Sequence, residues 1–359
     1  MEQVKITTHE TAQVSYGGHR KHNATRMARA FPIWSRSTIP YDWCHDEPGG
    51  KKRSGILFVR VQKCASSTGA GIANRMADTL GRRIVLLRND STHRTRRCSA
   101  RYYHGFASDV PQEYVSRDAD RSILWTIIRH PASRVVSDFF FFHVSRMGVN
   151  ATERAILNFI SKPVHQNYLV NYLRLKKFKT RREEIKHTVQ NYDFIAVSER
   201  MAESVVVMSM IFKVPLADLI VLSSKVEGYD DGTTSSGCVK LRRSWTTPKI
   251  MRYLASDFLQ DNHDIVLYQA VNASLDLTID ALGRDKVSAG VVAYHELSAK
   301  NKRECEHRAI FPCPLTLPNH TILSRQDCYF QDTGCGHKCT DEVLRAEADD
   351  EWTRLQNAL

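Results

Sequence analysis

The run Ser122-Ile-Leu-Trp-Thr-Ile-Ile128 is almost continuously apolar and rich in β-branched residues, and it ends abruptly at Arg129-His-Pro131. A strand with one wet face alternates polar and apolar residues. This one does not, so both of its faces must be covered, as in the interior of a parallel sheet. Pro131 suits the first turn of a following helix, which the pattern extends to Phe142. The same pairing recurs along the chain. Gly55-Ile-Leu-Phe-Val-Arg-Val61 reads as a strand, followed by a Ser/Thr/Gly-rich loop and a helical stretch from Gly71 to Leu80. Asp193-Phe-Ile-Ala-Val197 precedes the amphipathic stretch Met201 to Phe212. Arg83-Ile-Val-Leu-Leu87 and Leu219-Ile-Val-Leu222 read as two further strands. Strands alternating with helices predict an α/β fold, a parallel sheet flanked by helices.

The remainder divides by composition. Residues 1–53 form a polar lead-in, residues 54–290 the main domain, and residues 291–359 a cysteine-rich extension. Within the main domain, Ser223 to Ser244 is polar and rich in Gly and Ser, which predicts a loop over the sheet, and Pro248 to Leu282 is helical in pattern. The extension ends in a predicted helix from Asp341 to Leu359 with Thr340 as its N-cap. Hydrophobic residues at 42% and charged residues at 25% describe a globular chain, not a disordered one. The formal charge of +12 favours polyanionic partners. Nucleic acid is not expected among them, because no recognition module accompanies the charge.

Five of the nine cysteines, Cys305, Cys313, Cys328, Cys335 and Cys339, crowd into the extension. Their density predicts at least two disulfides, with any odd cysteine pairing upstream. Zinc binding by Cys328, Cys335, His337 and Cys339 is the weaker reading, since the spacing lacks paired C-x-x-C elements. Disulfides, together with Asn-x-Ser/Thr sequons at Asn23, Asn89, Asn150, Asn272 and Asn319, point to an oxidising secretory lumen. No stretch reaches the ~18 apolar residues of a membrane helix, and residues 1–53 hold no signal-peptide core. The expectation is therefore a luminal protein whose membrane anchor lies outside this sequence.

Two motifs carry the chemistry. Lys63-Cys64-Ala65-Ser66-Ser67-Thr68 stands directly between a strand and a helix. Such a turn presents free backbone N–H groups and the positive end of a helix dipole, which suit a phosphate. The hydroxyls of Ser66, Ser67 and Thr68 and the charge of Lys63 add to it. The order differs from a Walker A loop, in which the lysine stands just before the Ser/Thr; a P-loop kinase or nucleotide hydrolase also needs a magnesium-binding carboxylate that is not evident here. Alone, the hexapeptide reads equally well as an ordinary helix start. The second motif is Arg129-His-Pro-Ala-Ser-Arg-Val-Val-Ser137. Arg129 falls at a strand's C-terminal end, where open α/β sheets bind ligands, and Ser137 lies in the following helix. Together they can hold a second phosphate.

These motifs resemble the sulfotransferase family, specifically its Golgi carbohydrate branch, over roughly residues 54–285. Lys63–Thr68 is similar to the family's 5′-phosphosulfate loop, and Arg129 with Ser137 to its 3′-phosphate motif. Tyr103-His-Gly-Phe106 and Arg134-Val-Val-Ser-Asp-Phe-Phe-Phe-Phe142 are closest to the heparan sulfate 2-O-sulfotransferase group. Asn191 to Glu199 resembles a later family strand, and Lys240-Leu-Arg-Arg-Ser244, with Arg242 and Ser244, the loop that closes over the nucleotide. The resemblance implies a sulfotransferase fold with a P-loop-like phosphate loop. It also implies 3′-phosphoadenosine 5′-phosphosulfate as donor without a metal, and a carbohydrate hydroxyl, on a neutral or anionic glycan, as acceptor. Two features depart from that group: Phe106 stands where it has a second histidine, and the cysteine-rich tail has no counterpart there.

The resemblance makes Lys63 the stabiliser of the leaving phosphate and His104 the general base. His130, His93 and Glu199 are the alternatives for the base. Arg94, Arg96, Arg97 and Arg101, shortly before His104, are candidates for gripping an anionic acceptor. The basic run Arg174, Lys176, Lys177, Lys179, Arg181 and Arg182 reads at least as well as a solvated face. A glycan-binding protein on a non-catalytic sulfotransferase scaffold is the remaining alternative.

Overall fold

The computed structural model describes residues 31–35, 53–88, 99–103, 105–223, 230–234, 237–313, 327–329, 331 and 333–357. Its centre is a four-stranded parallel sheet. Strands β1 (Gly55–Val59), β2 (Ala100–Tyr103), β3 (Ser122–Ile128) and β4 (Phe194–Val197) lie in the order β2-β1-β3-β4. Every residue of β1, β3 and β4 is buried, as their unbroken apolar runs require. The register sets Val59 beside Tyr103 on one side and Thr126 on the other, and Ile128 beside Val197. The Thr126 hydroxyl donates to the Val59 carbonyl at 2.7 Å, which satisfies the one polar side chain in the middle of β3. Trp125 packs against Phe58 at 4.5 Å between ring centroids. Within the lead-in, Trp34 is buried and meets Phe194 edge-on at 5.2 Å.

Helix α1 (Ser66–Arg88) follows β1 and is pressed onto the sheet: a Cβ on Gly69 would lie 2.4 Å from Phe58 Cζ and 2.8 Å from Ile127 Cδ1. After β2 comes the short α2 (Pro111–Tyr114), and after β3 comes α3 (Pro131–Asp138), with Pro131 in its first turn as expected. A π-helical segment, Phe139–Arg146, continues α3. Next come α4 (Glu153–Ile160), α5 (Tyr168–Leu173) and α6 (Arg181–Asn191), then β4 and α7 (Met201–Phe212).

The structure corrects several expectations. Arg83–Leu87 is not a strand but the end of α1, because short apolar runs do not by themselves separate strand from buried helix. Arg83 is held there by Asp218 at 3.0 Å and Asp349 at 2.7 Å. The neighbour of β1 is instead β2, a short edge strand with half-exposed side chains and a weak pattern. Leu219–Leu222 is not a strand either. Leu219 closes a 3₁₀ turn, Leu216–Leu219, and Ile220 is buried against Leu344 and Ala348 of the C-terminal extension, not beside a sheet. The stretch Ser223 to Ser244 contains an antiparallel hairpin, β5 (Asp230–Thr234) with β6 (Gly237–Lys240). Pro248 to Leu282 is broken into α8 (Pro248–Tyr253), a π segment Leu254–Phe258 and α9 (His263–Leu282), with Asn262 capping the last.

Helix α10 (Arg284–Cys305) leads into the extension. The predicted terminal helix is two helices, α11 (His337–Val343) and α12 (Arg345–Asn357). Thr340 is not an N-cap but sits inside α11, where its hydroxyl donates to Asn301 Oδ1 at 2.8 Å. Disulfides join Cys305 to Cys339 and Cys328 to Cys335, and Cys313 pairs upstream with Cys238. Both the number of bridges and the upstream partner agree with the expectation. Among the described residues, no helix is long and apolar enough to cross a membrane.

Candidate functional site

Between β1 and α1 the chain turns through two left-handed residues, Lys63 (φ 63°) and Ala65 (φ 55°), on either side of buried Cys64. Such conformations cost side chains of this kind of order 1–3 kcal/mol, and they persist where the surroundings enforce them. Here the close seat of Gly69 on β1 and β3 fixes where α1 begins. The amides of Ser66, Ser67 and Thr68 occupy the first turn of α1, which has no intrahelical acceptors for them, so the loop presents donors and the positive dipole end together. The Ser67 hydroxyl accepts from Arg60 Nη2 at 3.3 Å; Arg60 is itself buried and lies over the Tyr102 ring. Burial pushes the Cys64 thiol up to about 12 against the opposing pull of Arg134 and Arg129, so it is a neutral packing group and not a nucleophile.

Arg129 leaves the end of β3, the strand beside β1, on the same C-terminal edge of the sheet as the Lys63 loop. Ser137 lies half-buried in the last turn of α3. Among the described residues, no hydrogen bond or ion pair occupies the side chain of Arg129 or Ser137. Arg134, one turn before Asp138, is buried with Nη1 at 3.3 Å from Asp138 Oδ2 and its guanidinium 3.9 Å from the Tyr168 ring centroid. The π segment brings Phe141 to Lys63, with Nζ 3.4 Å from the ring centroid.

The segment after β6 lies against the same helix. The Arg242 amide donates to Ser145 Oγ at 2.9 Å, Ser145 donates to the Phe140 carbonyl at 2.7 Å, and Trp245 packs edge-on against Phe140. The Arg242 side chain is exposed, Ser244 is half-buried, and the Cys238–Cys313 bridge anchors the start of the segment.

His104 and His93 lie outside the described residues, as do Arg94, Arg96 and Arg97. The residues flanking His104 are both anchored: the Tyr103 amide donates to Tyr114 Oη at 3.1 Å and the Gly105 amide to Tyr172 Oη at 2.9 Å. Tyr172 donates in turn to the Arg60 carbonyl, and burial raises its phenol to about 12, so it stays a neutral hydroxyl. Phe106 is 40% exposed and packs beside the Tyr172 ring. Glu199, at the end of β4, accepts from the His130 amide at 2.9 Å and from Tyr268 Oη at 3.4 Å. Burial lowers the pKa of His130 despite Glu199 nearby. Arg101 lies half-buried on β2.

In the basic run, Arg174 and Arg181 share Asn171 and Glu184, while Lys176, Lys177, Lys179 and Arg182 are exposed. The three cysteines of the zinc reading are all consumed in disulfides. Two contributors were not legible in the sequence. Arg60 reads as part of the Gly55–Val61 strand and Tyr172 falls in no motif; only the fold reveals their hydrogen bonds to Ser67 and to Gly105.

A family model described as Sulfotransferase family matches residues 51–255, more than half of the chain. No curated protein and no solved structure matches it.

Proposed function

Because the chain belongs to the sulfotransferase family, we propose that it transfers a sulfuryl group from 3′-phosphoadenosine 5′-phosphosulfate to a carbohydrate hydroxyl in the Golgi lumen. The observation that carries the reading is the shared sheet edge. The strained Lys63–Thr68 loop and the side chains of Arg129 and Ser137, uncommitted among the described residues, leave adjacent strands side by side. A nucleotide with phosphates at both its 5′ and 3′ positions matches two such sites.

In this reading the amides and hydroxyls of Ser66, Ser67 and Thr68 hold the 5′-phosphate around Cys64 and Ala65. Arg129 and Ser137 hold the 3′-phosphate, and Arg242 and Ser244 cover the nucleotide from the segment tied to Ser145. Sulfuryl transfer needs in-line placement, charge stabilisation on the bridging oxygen and deprotonation of the acceptor. Lys63 supplies the charge at the bridging oxygen. His104 takes the acceptor proton, a role to which an imidazole is suited. The disulfides fit an oxidising compartment. The formal charge of +12 favours an anionic glycan over a neutral one.

The test is titration with 3′-phosphoadenosine 5′-phosphate, AMP and ATP. The bisphosphorylated nucleotide is expected to bind much more tightly, and Arg129→Ala to remove about 1.5–3 kcal/mol of that preference. Equal affinity for AMP would overturn the assignment. His104→Ala is expected to lower turnover roughly 10²–10⁴-fold with nucleotide affinity nearly unchanged. A stable variant that retains most of its activity would move the base to another residue. A screen of desulfated glycans with labelled donor identifies the acceptor.

A further inference from the structure

Of the five Asn-x-Ser/Thr triplets in the sequence, two fall among the described residues, and the fold treats them in opposite ways. Asn150-Ala-Thr152 lies in the irregular connection between the π segment, which ends at Arg146, and α4, which begins at Glu153. Asn272-Ala-Ser274 lies inside α9. An asparagine that carries an N-linked sugar chain needs a surface position that a bulky, hydrophilic group can leave without meeting the protein.

The connection at Asn150 meets that need residue by residue. Met147, Gly148, Val149 and Asn150 are all exposed, and so is Thr152. Gly148 turns the chain at φ 70°, and a Cβ built on it meets no heavy atom within 4 Å beyond its chain neighbours, so the tip stands in open space. The tip is nonetheless held in shape. The Val149 amide donates to the His143 carbonyl at 2.9 Å, and the Thr152 amide to the Asn150 carbonyl at 3.0 Å. The Thr152 hydroxyl accepts from the Ala155 amide as the N-cap of α4, which uses a lone pair and not its proton. Met147 is 67% exposed and Val149 37%, so a sugar chain at Asn150 also covers two apolar side chains that water otherwise meets.

Asn272 fails the same need. Its Nδ2 donates to the Tyr268 carbonyl at 3.0 Å, its Oδ1 accepts from Arg200 at 3.4 Å, and Ser274 is 0% exposed. Transfer to Asn272 is open only to a chain that has not folded, and the modified side chain would then have to give up these bonds when α9 packs.

We propose that Asn150 carries an N-linked glycan and that Asn272 does not. The inference rests on the part of the proposed function that puts the protein in the secretory lumen. The co-substrate is an oligosaccharide carried on a lipid pyrophosphate. Asn150 Nδ2 forms a bond to the anomeric carbon, the anomeric C–O bond breaks, the lipid pyrophosphate leaves with the electron pair, and one amide proton passes to the transferring enzyme.

The test uses the full chain isolated from its native cells without reduction. One portion is mapped for disulfides. A second is treated, in heavy-oxygen water, with the glycosidase that releases whole N-glycans and converts each occupied asparagine to a labelled aspartate, and peptides are then read by mass spectrometry. The label is expected at Asn150 and absent at Asn272. Asn150→Gln and Thr152→Ala, made in the same cells, should each lose the mass of that glycan, while Thr152→Ser keeps it. Asn150→Gln leaves the Thr152 cap in place, so its result does not depend on the stability of α4. An unlabelled Asn150 in protein whose disulfides have formed would overturn the proposal, and so would a labelled Asn272 in the folded fraction. Reduced cysteines throughout, with no label at any site, would overturn the secretory reading itself, and this inference with it.

Discussion

Arg75 of α1 and Asp341 of α11 form an ion pair at 3.0 Å, with the Arg75 side chain only 2% exposed. Asp341 also holds Arg82 at 2.5 Å, and Arg75 donates to the Ala217 carbonyl. The helix that follows the Lys63–Ala65 turn is thus clamped to the C-terminal extension. Beside the clamp, a Cβ on Gly71 would lie 3.1 Å from the Gly334 amide nitrogen, so the two backbones approach directly. Asp341→Ala leaves the buried Arg75 cation without its counter-charge. The expected loss is about 3 kcal/mol in chemical denaturation, because removing one partner of a buried pair strands the other.

Gly69→Ala puts a methyl group into Phe58 and Ile127 at once, from two different strands. Overpacking of this kind costs about 1–3 kcal/mol, against which the better helix propensity of Ala returns about 1 kcal/mol. The helix is expected to shift outward and take the Lys63–Thr68 loop with it. Nucleotide affinity should therefore fall more than the drop in melting temperature alone implies. Unchanged affinity in a folded variant would show that the loop tolerates the shift.

His165 is buried against the Phe159 ring, 4.0 Å between centroids, with Nδ1 3.9 Å from Asp138 Oδ2. Burial lowers its pKa to about 4, so it is neutral in the fold while the unfolded chain protonates it near its ordinary value. Between pH 6.5 and 4 the unfolded state binds more protons, and the stabilising contribution present above that window is lost as pH falls through it. Asp264 acts oppositely: its carboxylate accepts from the Leu169 and Val170 amides, yet burial raises its pKa to about 6, so its contribution is lost as pH rises through that value. The comparison that isolates His165 is the melting temperature of wild type and His165→Gln from pH 7.5 to 5. The wild type should show the steeper acid loss.

The Cys238–Cys313 bridge spans 75 residues and anchors the start of the segment carrying Arg242 and Ser244. In the chain-entropy account, opening a loop of that length costs about 4 kcal/mol. Replacing both cysteines with serine should lower stability on that scale, read from denaturant midpoints. It should also weaken nucleotide binding more than the Cys305–Cys339 double replacement, whose bridge joins α10 to α11 and not the segment carrying Arg242. Equal effects on affinity would separate the segment from the donor.

Much of the framework is written in contiguous residues. β1, β3 and β4 are recognisable because a strand covered on both faces leaves no polar alternation, and Pro131 marks the start of α3 because its ring suits a first helical turn. Lys63–Thr68 and Arg129 with Ser137 stand out in the sequence as candidates because each set lies on one turn and the helix beside it. What tertiary structure alone decided is whatever depends on a distant partner. The apolar Ile84-Val-Leu-Leu87 continues a helix because Asp218 and Asp349 hold Arg83 in line. Ile220 is buried by the extension instead of by a strand. Cys313 finds Cys238, Arg75 finds Asp341, and Lys63 finds Phe141 across a π turn that no local pattern announces. Local sequence sets which backbone conformations and faces are favourable. The choice of partner for a charge, a ring or a thiol belongs to the packed fold, because only there are groups far apart in the chain brought within a few ångströms of one another.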